Sequence, residues 1–358
     1  MPWSVLVLSR SCPPDVGGYQ RQLSIVLPLL VERGTVFRGV AAKRTDATGP
    51  TGWPGVRTSV LPVSALPRVL QGGSDLVLVL AALALGVVAR VLRPRRRPTL
   101  LLVSPTMRGS RVAALVWSLL VGPVVARYPG HGGLARSRLA GNPRVRHVVM
   151  SPEQAAEAIT LGVQAQQVGN AVEAVDRPVT GQPFRRFVVV GRLIATKRVD
   201  LVLAAWAEAC DDLPQWRLEI IGSGQGGRDD VEAALRQQAH DLARVDLLGE
   251  VSDARSHLGG DAVVVHCSSL EGVPNTLLEA LAAGSPVLAE TASLRRWLGD
   301  PPPHLPWDGA SAGSLAEVMR GLAGRDDDLR ILARSAQEEA QRRWSPDAIA
   351  TRWQEVLR

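Results

Sequence analysis

The chain has 358 residues, enough for about two domains at roughly 150 residues each. Apolar residues make up 46%, charged residues 21% and aromatics 4%, a globular balance that excludes wholesale disorder and fibrous repeats. The net charge of +7 is uneven, because residues 1–170 hold 20 Lys and Arg against 6 Asp and Glu, whereas residues 171–358 hold 21 against 28.

The opening MPWSVLVLSRSCPP has no basic start and no small-residue cleavage site. It reads as a first buried strand, Ser4–Leu8, and not as a signal peptide. Gly17 and Gly18 follow in a loop, and a helix is expected near Tyr19–Glu32. Leu76–Ala89 is fourteen residues without a charge, followed by Arg90 and the cluster Arg93, Arg95, Arg96 and Arg97. A helix of that length spans about 21 Å, short of the ~30 Å hydrocarbon core, so a spanning helix is disfavoured. Two readings stand: a buried core helix, or a helix lying in the membrane interface with its arginines on anionic headgroups. A strand Leu100–Ser104, a helix near Ser110–Leu120 and strands Val121–Arg127 and His147–Ser151 complete the first half. Residues 169–184, GNAVEAVDRPVTGQPF, have no periodicity and read as a linker between domains at 1–170 and 171–345.

The second half alternates more clearly. Strands are expected at Phe187–Val190, Arg217–Ile221, Val245–Leu248, Ala262–His266 and Pro286–Ala289, with helices at Lys197–Ala209, Asp229–Ala243 and Asn275–Ala283. Strands apolar throughout, with helices between them, imply a parallel sheet covered on both faces. Such sheets bind ligands at the carboxyl ends of their strands, and two in tandem would place a cleft between them.

The charge asymmetry points to an anionic partner for the first half: a phosphorylated substrate, an anionic membrane face or, least of all, nucleic acid. A solvated arginine-rich surface is the plain alternative. Arginine outnumbers lysine 39 to 2, which reads as codon usage. Cys12, Cys210 and Cys267 form no CxxC, and the six histidines form no HxxxH pair. Neither a disulfide scaffold nor a zinc site is expected, and a reducing cytosol fits.

Two patterns carry chemistry. Gly222-Ser-Gly224-Gln-Gly226-Gly227 matches G-x-G-x-x-G after a strand, with Glu250 after the next. It permits an NAD-dependent oxidoreductase, although the motif lies mid-chain and no hydride-transfer constellation follows it. The second pattern is a constellation at strand ends. Arg192 and Lys197 follow the first strand of the second domain; Ser268, Glu271 and Gly272 follow a later one; Glu279 lies eight residues beyond Glu271. The two cations suit a diphosphate. The helix opening at Asn275, read as its N-cap, offers free N–H groups to an anion. Glu271 suits sugar hydroxyls, and Glu279 suits the hydroxyl pair of a ribose. The ligand that fits all of these is a nucleotide sugar.

The stretches GRLIATKRVDLVLAAWAEA, WRLEIIGSGQG, VDLLGEV and CSSLEGVPNTLLEALAAGSPVLAE resemble the donor domain of glycosyltransferase family 4, whose E-x7-E motif is matched by Glu271 and Glu279. VVMS ending at Ser151, GNAVE, and the loop PPDVGGYQRQ are similar to further family features. The resemblance implies the GT-B fold, two Rossmann-like α/β domains facing each other across a cleft, with a C-terminal helix at about 346–358 packing back on the first. It implies a retaining transferase that uses a nucleotide-diphosphate sugar, with catalytic roles for Arg192, Lys197 and Glu271, and His131 as either the acceptor-side catalytic histidine or an ordinary loop histidine. Donor binding is implied at Gly17, Gly18, Gly222, Val251, Ser268, Gly272, Val273, Pro274, Asn275, Thr276 and Glu279. The basic first half and its apolar stretch favour a lipid-linked or anionic glycan acceptor, met in the cytoplasm or on the inner membrane face, and a small-molecule acceptor stays open. No metal is expected, since the cations neutralise the diphosphate and no D-x-D motif is followed by suitable ligands. A GT-B epimerase or a silent nucleotide-sugar binder would share these features. The chain departs from the family pattern at Ala171 and Arg198, where glycine is usual, and at Cys267, where proline is frequent.

Overall fold

Short runs of Val, Leu and Ile set the framework. The computed structural model describes the chain apart from residues 1–3, 11, 13–17, 44–51, 63–73, 93–94, 96, 104, 107–108, 129, 131, 138, 176–180 and 225–229. It divides into two units, Met1–Ala171 with Pro346–Arg358, and Val172–Ser345.

In the N-terminal unit seven strands form one sheet: β1 (Val5–Leu8), β2 (Phe37–Lys43), β3 (Arg57–Pro62), β4 (Thr99–Leu102), β5 (Val124–Tyr128), β6 (Val145–Val149) and β7 (Ala165–Gln167). Their order is β3-β2-β1-β4-β5-β6-β7, and every pairing is parallel. β1 and β4 are buried at every residue, as strands covered on both faces must be. The helices are α1 (Gly18–Glu32), α2 (Ser74–Leu92), α3 (Ser110–Leu120), α4 (Gly133–Ser137) and α5 (Pro152–Thr160). Ser151 starts α5 through a capping box: its hydroxyl accepts the Gln154 N–H, and the Gln154 side chain accepts the Ser151 N–H.

Helix α2 is longer than its charge-free stretch, because Asp75 and Arg90 fall inside it. It is long and apolar enough to cross a membrane. One face buries Leu78, Val79 and Ala82, while Leu76, Leu80, Val88 and Val91 are exposed. It is therefore not the fully buried helix of the first reading.

In the second unit β8 (Arg186–Val190), β9 (Arg217–Ile221), β10 (Val245–Gly249), β11 (Ala262–His266), β12 (Val287–Glu290) and β13 (Leu305–Trp307) form a parallel sheet ordered β10-β9-β8-β11-β12-β13. The helices in chain order are α6 (Val199–Ala209), α7 (Asp230–His240), α8 (Asn275–Ala282), α9 (Thr291–Leu298), α10 (Ala312–Arg320) and α11 (Asp326–Trp344). One core forms around Phe187, which stacks on Trp216 at 4.6 Å and meets Trp206 edge-on at 6.0 Å. Burying Phe187 completely contributes about 2–3 kcal/mol. Trp206 is fully buried too, and its indole N–H donates to the Ala243 carbonyl at 2.9 Å. The start of α8 corrects one expectation. Pro274 holds the N-cap position in an extended conformation, and Asn275 is the first helical residue.

The last helix, α12 (Pro346–Leu357), belongs to the N-terminal unit. Arg33 at the end of α1 bonds Asp347 at 2.6 Å, Arg146 donates to the Val356 carbonyl at 2.9 Å, and Ile349 and Trp353 are buried. At the other crossing Gln22 clasps both the N–H and the carbonyl of Ala171, while the Val172 N–H donates to Trp344. The described part of the linker is thus fastened at the boundary itself.

Candidate functional site

The strand order of the second unit reverses between β8 and β11. Loops that leave the carboxyl ends of two such strands part to opposite faces and open a crevice between them. The loop after β8 carries Arg192 and Lys197, and the loop after β11 carries Ser268, Glu271 and Gly272. Topology therefore brings together the residues singled out in the sequence, although Lys197 and Glu271 are 74 positions apart.

Close backbone approaches hold these loops. The Gly191 N–H donates to the Ile221 carbonyl at 2.9 Å, and the Leu193 N–H to Ser223 at 2.9 Å. Gly222 has φ +138°, and a Cβ there would lie 1.9 Å from the Gly191 carbonyl oxygen. Only glycine lets the two loop starts touch. The chain then makes a 3-10 turn, Ala195–Lys197, and passes through Arg198 in the left-handed region at φ +52° before α6 begins. Lys197 closes that turn and does not sit on the helix. The Ser269 N–H donates to the Thr196 carbonyl at 2.9 Å, which joins the loop after β11 to the loop after β8.

Across this junction the Lys197 ammonium pairs with the Glu271 carboxylate, both largely buried. Arg192 is exposed and makes no ion pair among the described residues. Ser268 and Pro274 are buried, Gly272, Val273, Asn275 and Thr276 of the same stretch are half-buried, and so is Val251 after β10. Glu279, half-buried on α8, lies near the Arg255 guanidinium. Burial works against the Arg255 charge, but the hydrogen bond it donates to Glu173 and the charges of Glu173, Asp253 and Glu279 outweigh it and raise its pKa. The sequence reading passed over Arg255.

It also passed over His266, the last residue of β11. The imidazole is buried, meets Trp297 edge-on at 5.4 Å, and places Nε2 3.9 Å from the Glu271 carboxylate with no hydrogen-bond partner. Burial lowers its pKa to about 4; Glu271 opposes the shift and Lys197 adds to it. The ring is neutral at pH 7. The sequence signal was a polar residue ending the apolar run AVVVH. Cys267 beside it is pushed up to about 12 by burial, so its thiol stays protonated and is no nucleophile.

In the glycine motif the described residues are Gly222, Ser223 and Gly224. The Gly224 N–H donates to the Glu232 carboxylate at 2.6 Å, which occupies the backbone donor that a pyrophosphate would require. Gln225, Gly226 and Gly227 lie outside the described residues, as do Gly17 and His131. Gly18 opens α1. Among the described residues no three His, Cys, Asp or Glu side chains gather as a metal site would need.

Residues 184–320 match the family described as Glycosyl transferases group 1. An exopolysaccharide phosphotransferase of Streptomyces coelicolor is 28% identical over 287 residues, which takes in 75% of this chain and 29% of that protein. The chain spans less than a third of the length of the curated relatives it matches. Among solved structures, Anabaena HepE in complex with UDP and glucose has a TM-score of 0.72 over 99% of both chains at 16% identity. Sucrose-phosphate synthase from Thermosynechococcus elongatus has a TM-score of 0.68 over 99% of this chain and 98% of its own at 18% identity. The fold is that of the GT-B glycosyltransferases, with two Rossmann-like units.

Proposed function

We propose that this protein is a retaining glycosyltransferase of the family 4 kind. It moves a sugar from a nucleotide-diphosphate donor to an acceptor hydroxyl in cell-surface glycan or glycolipid synthesis. The observation that carries the reading is the Lys197–Glu271 pair, set between the loops of β8 and β11 where the strand order reverses and beside the start of α8.

The chemistry follows from the groups present. Glu271 holds the Lys197 ammonium in place, and the ammonium keeps further N–H donors for a diphosphate. Arg192 adds an exposed cation, and the N-terminal end of α8 adds an oriented dipole. These groups stabilise the diphosphate as the bond from sugar C1 to phosphate oxygen breaks. The acceptor hydroxyl then attacks the face that the leaving group vacates and passes its proton to the departing phosphate oxygen, which retains the anomeric configuration without a covalent enzyme intermediate. Glu279 takes the ribose hydroxyls, Glu271 a hydroxyl of the sugar, and the N-terminal unit the acceptor. The cations suffice to balance the diphosphate, so the reading needs no metal. UDP in the HepE complex makes a uridine donor the first to try. The proposed compartment is the cytoplasm, which suits three buried free cysteines.

The test is a thermal-shift screen of nucleotide sugars and NAD, followed by turnover with candidate acceptors. Stabilisation by one nucleotide sugar, release of nucleoside diphosphate, and loss of both in Glu279→Ala are expected. Stabilisation by NAD alone, or by no nucleotide sugar, overturns the reading. Release of nucleoside monophosphate would mark transfer of a sugar phosphate, the outcome in keeping with the name of the Streptomyces relative.

A further inference from the structure

The N-terminal unit carries a surface that donor chemistry does not explain. Eleven of the eighteen large apolar side chains exposed among the described residues lie on α2 and α3. On α2 they follow helical spacing, with Leu76, Leu80, Val88 and Val91 from 54% to 72% exposed, so they form one stripe and not scattered points. α3 lies against α2 and adds Leu115 and Leu119, 48% and 56% exposed. A Cβ on Gly86 would come within 2.3 Å of the Trp117 ring, so glycine there lets the two helices close up. α2 runs into β4 and α3 into β5, so both helices end at the edge where these parallel strands begin.

The stretch of sequence that carries most of this face has charges of one sign. Residues 76–152 contain twelve arginines and not a single Asp or Glu. Arg95 and Arg97, just past the end of α2, and Arg111 on α3 are exposed. We propose that the outer face of α2 and α3 docks this unit onto an anionic lipid bilayer, lying in the interface with its arginines on the headgroups. A second copy of the chain would bring the same positive field against itself, which disfavours self-association through this face.

The helix lies on the membrane and does not cross it. Its inner side buries Leu78, Val79 and Ala82 in the core of the unit, and Asp75 is buried in an ion pair with Arg10 at 2.6 Å. Lipid could surround α2 only if it left the sheet it covers. The proposal does not depend on the transfer reaction and can fail or stand by itself.

The experiment is co-sedimentation of the full chain with vesicles of phosphatidylcholine alone and of phosphatidylcholine with phosphatidylglycerol. Binding to the anionic vesicles, reversed by high salt, is expected. Leu80→Glu with Val88→Glu should lower the partition coefficient by about tenfold or more, since both side chains face solvent and their loss leaves the core intact. Arg95→Ser and Arg97→Ser should each lower it about fivefold. Unchanged melting temperatures show that all the variants fold. Equal binding to neutral vesicles, no binding to either, or protein that resists alkaline carbonate extraction would each overturn the proposal. So would a lipid-free dimer that the Leu80→Glu, Val88→Glu variant dissolves.

Discussion

Replacing Gly222 with alanine probes the backbone contact on which the candidate site is built. The new methyl would meet the Gly191 carbonyl oxygen at 1.9 Å, so the loop of Arg192 and Lys197 must move by more than about 1 Å or β9 must end differently. The positive φ of +138° adds strain of about 1–2 kcal/mol for any residue with a Cβ. Together these amount to about 3 kcal/mol or more. Gly249 is the matched control: its φ of +70° carries similar strain, but a Cβ there meets nothing within 4 Å. Gly249→Ala should cost only about 1–2 kcal/mol. For a unit of this size about 1 kcal/mol moves the melting temperature by about 2–4 °C. Calorimetry should show a drop of about 6–12 °C for Gly222→Ala and about 2–8 °C for Gly249→Ala, with donor affinity reduced only in the former. Equal drops with equal affinities would refute the idea that this approach positions the loop.

Lys197→Ala should slow sugar transfer by about 10²–10³, the usual cost of removing one group that stabilises a leaving anion, measured as kcat with saturating donor. In the same variant Glu271 loses its partner, so adding Glu271→Gln should recover part of the lost stability in urea denaturation; strict additivity would show that the pair does not couple. A pH series tests His266. Its pKa is about 4 in the folded chain and about 6.5 when unfolded, so between these values the unfolded chain binds a proton that the native one does not. The effect is absent above about pH 6.5, costs about 2 kcal/mol by pH 5 and reaches about 3 kcal/mol below pH 4. His266→Gln should remove this acid loss, and parallel pH curves for the two proteins would contradict it.

Much of the fold was legible because buried parallel strands leave a plain signal. VLVL, TLLL and AVVVH can hardly be anything else once helices alternate with them. β2 (FRGVAAK) and β3 (RTSVLP) escaped, since arginine, glycine and serine interrupt their apolar runs. β13 escaped because Leu-Pro-Trp is three residues long. The length of α2 was hidden by counting only its uncharged stretch. That Arg192, Lys197 and Glu271 share one end of the sheet was legible from their placement after strands, a topological signal that sequence order preserves. Contacts were not legible. That Lys197 meets Glu271, that His266 sits beneath them, and that Arg255 faces Glu279 all depend on strand order across the sheet. Arg198 is an intermediate case. A departure from an expected glycine marked it, and its left-handed backbone supplies the physical reason glycine would be at ease there.

The assignment of Pro346–Arg358 to the N-terminal unit shapes how the chain is made. A ribosome completes α1 before the second unit, but the helix that covers it only after the whole second unit has emerged. At about 5–20 residues per second that interval lasts on the order of 15–60 s. Throughout it the nascent first unit shows an uncovered seam to chaperones, while the second unit has all its own residues in one uninterrupted run and can finish first. For the two units of this chain the order of synthesis is therefore not the order in which their residues become complete.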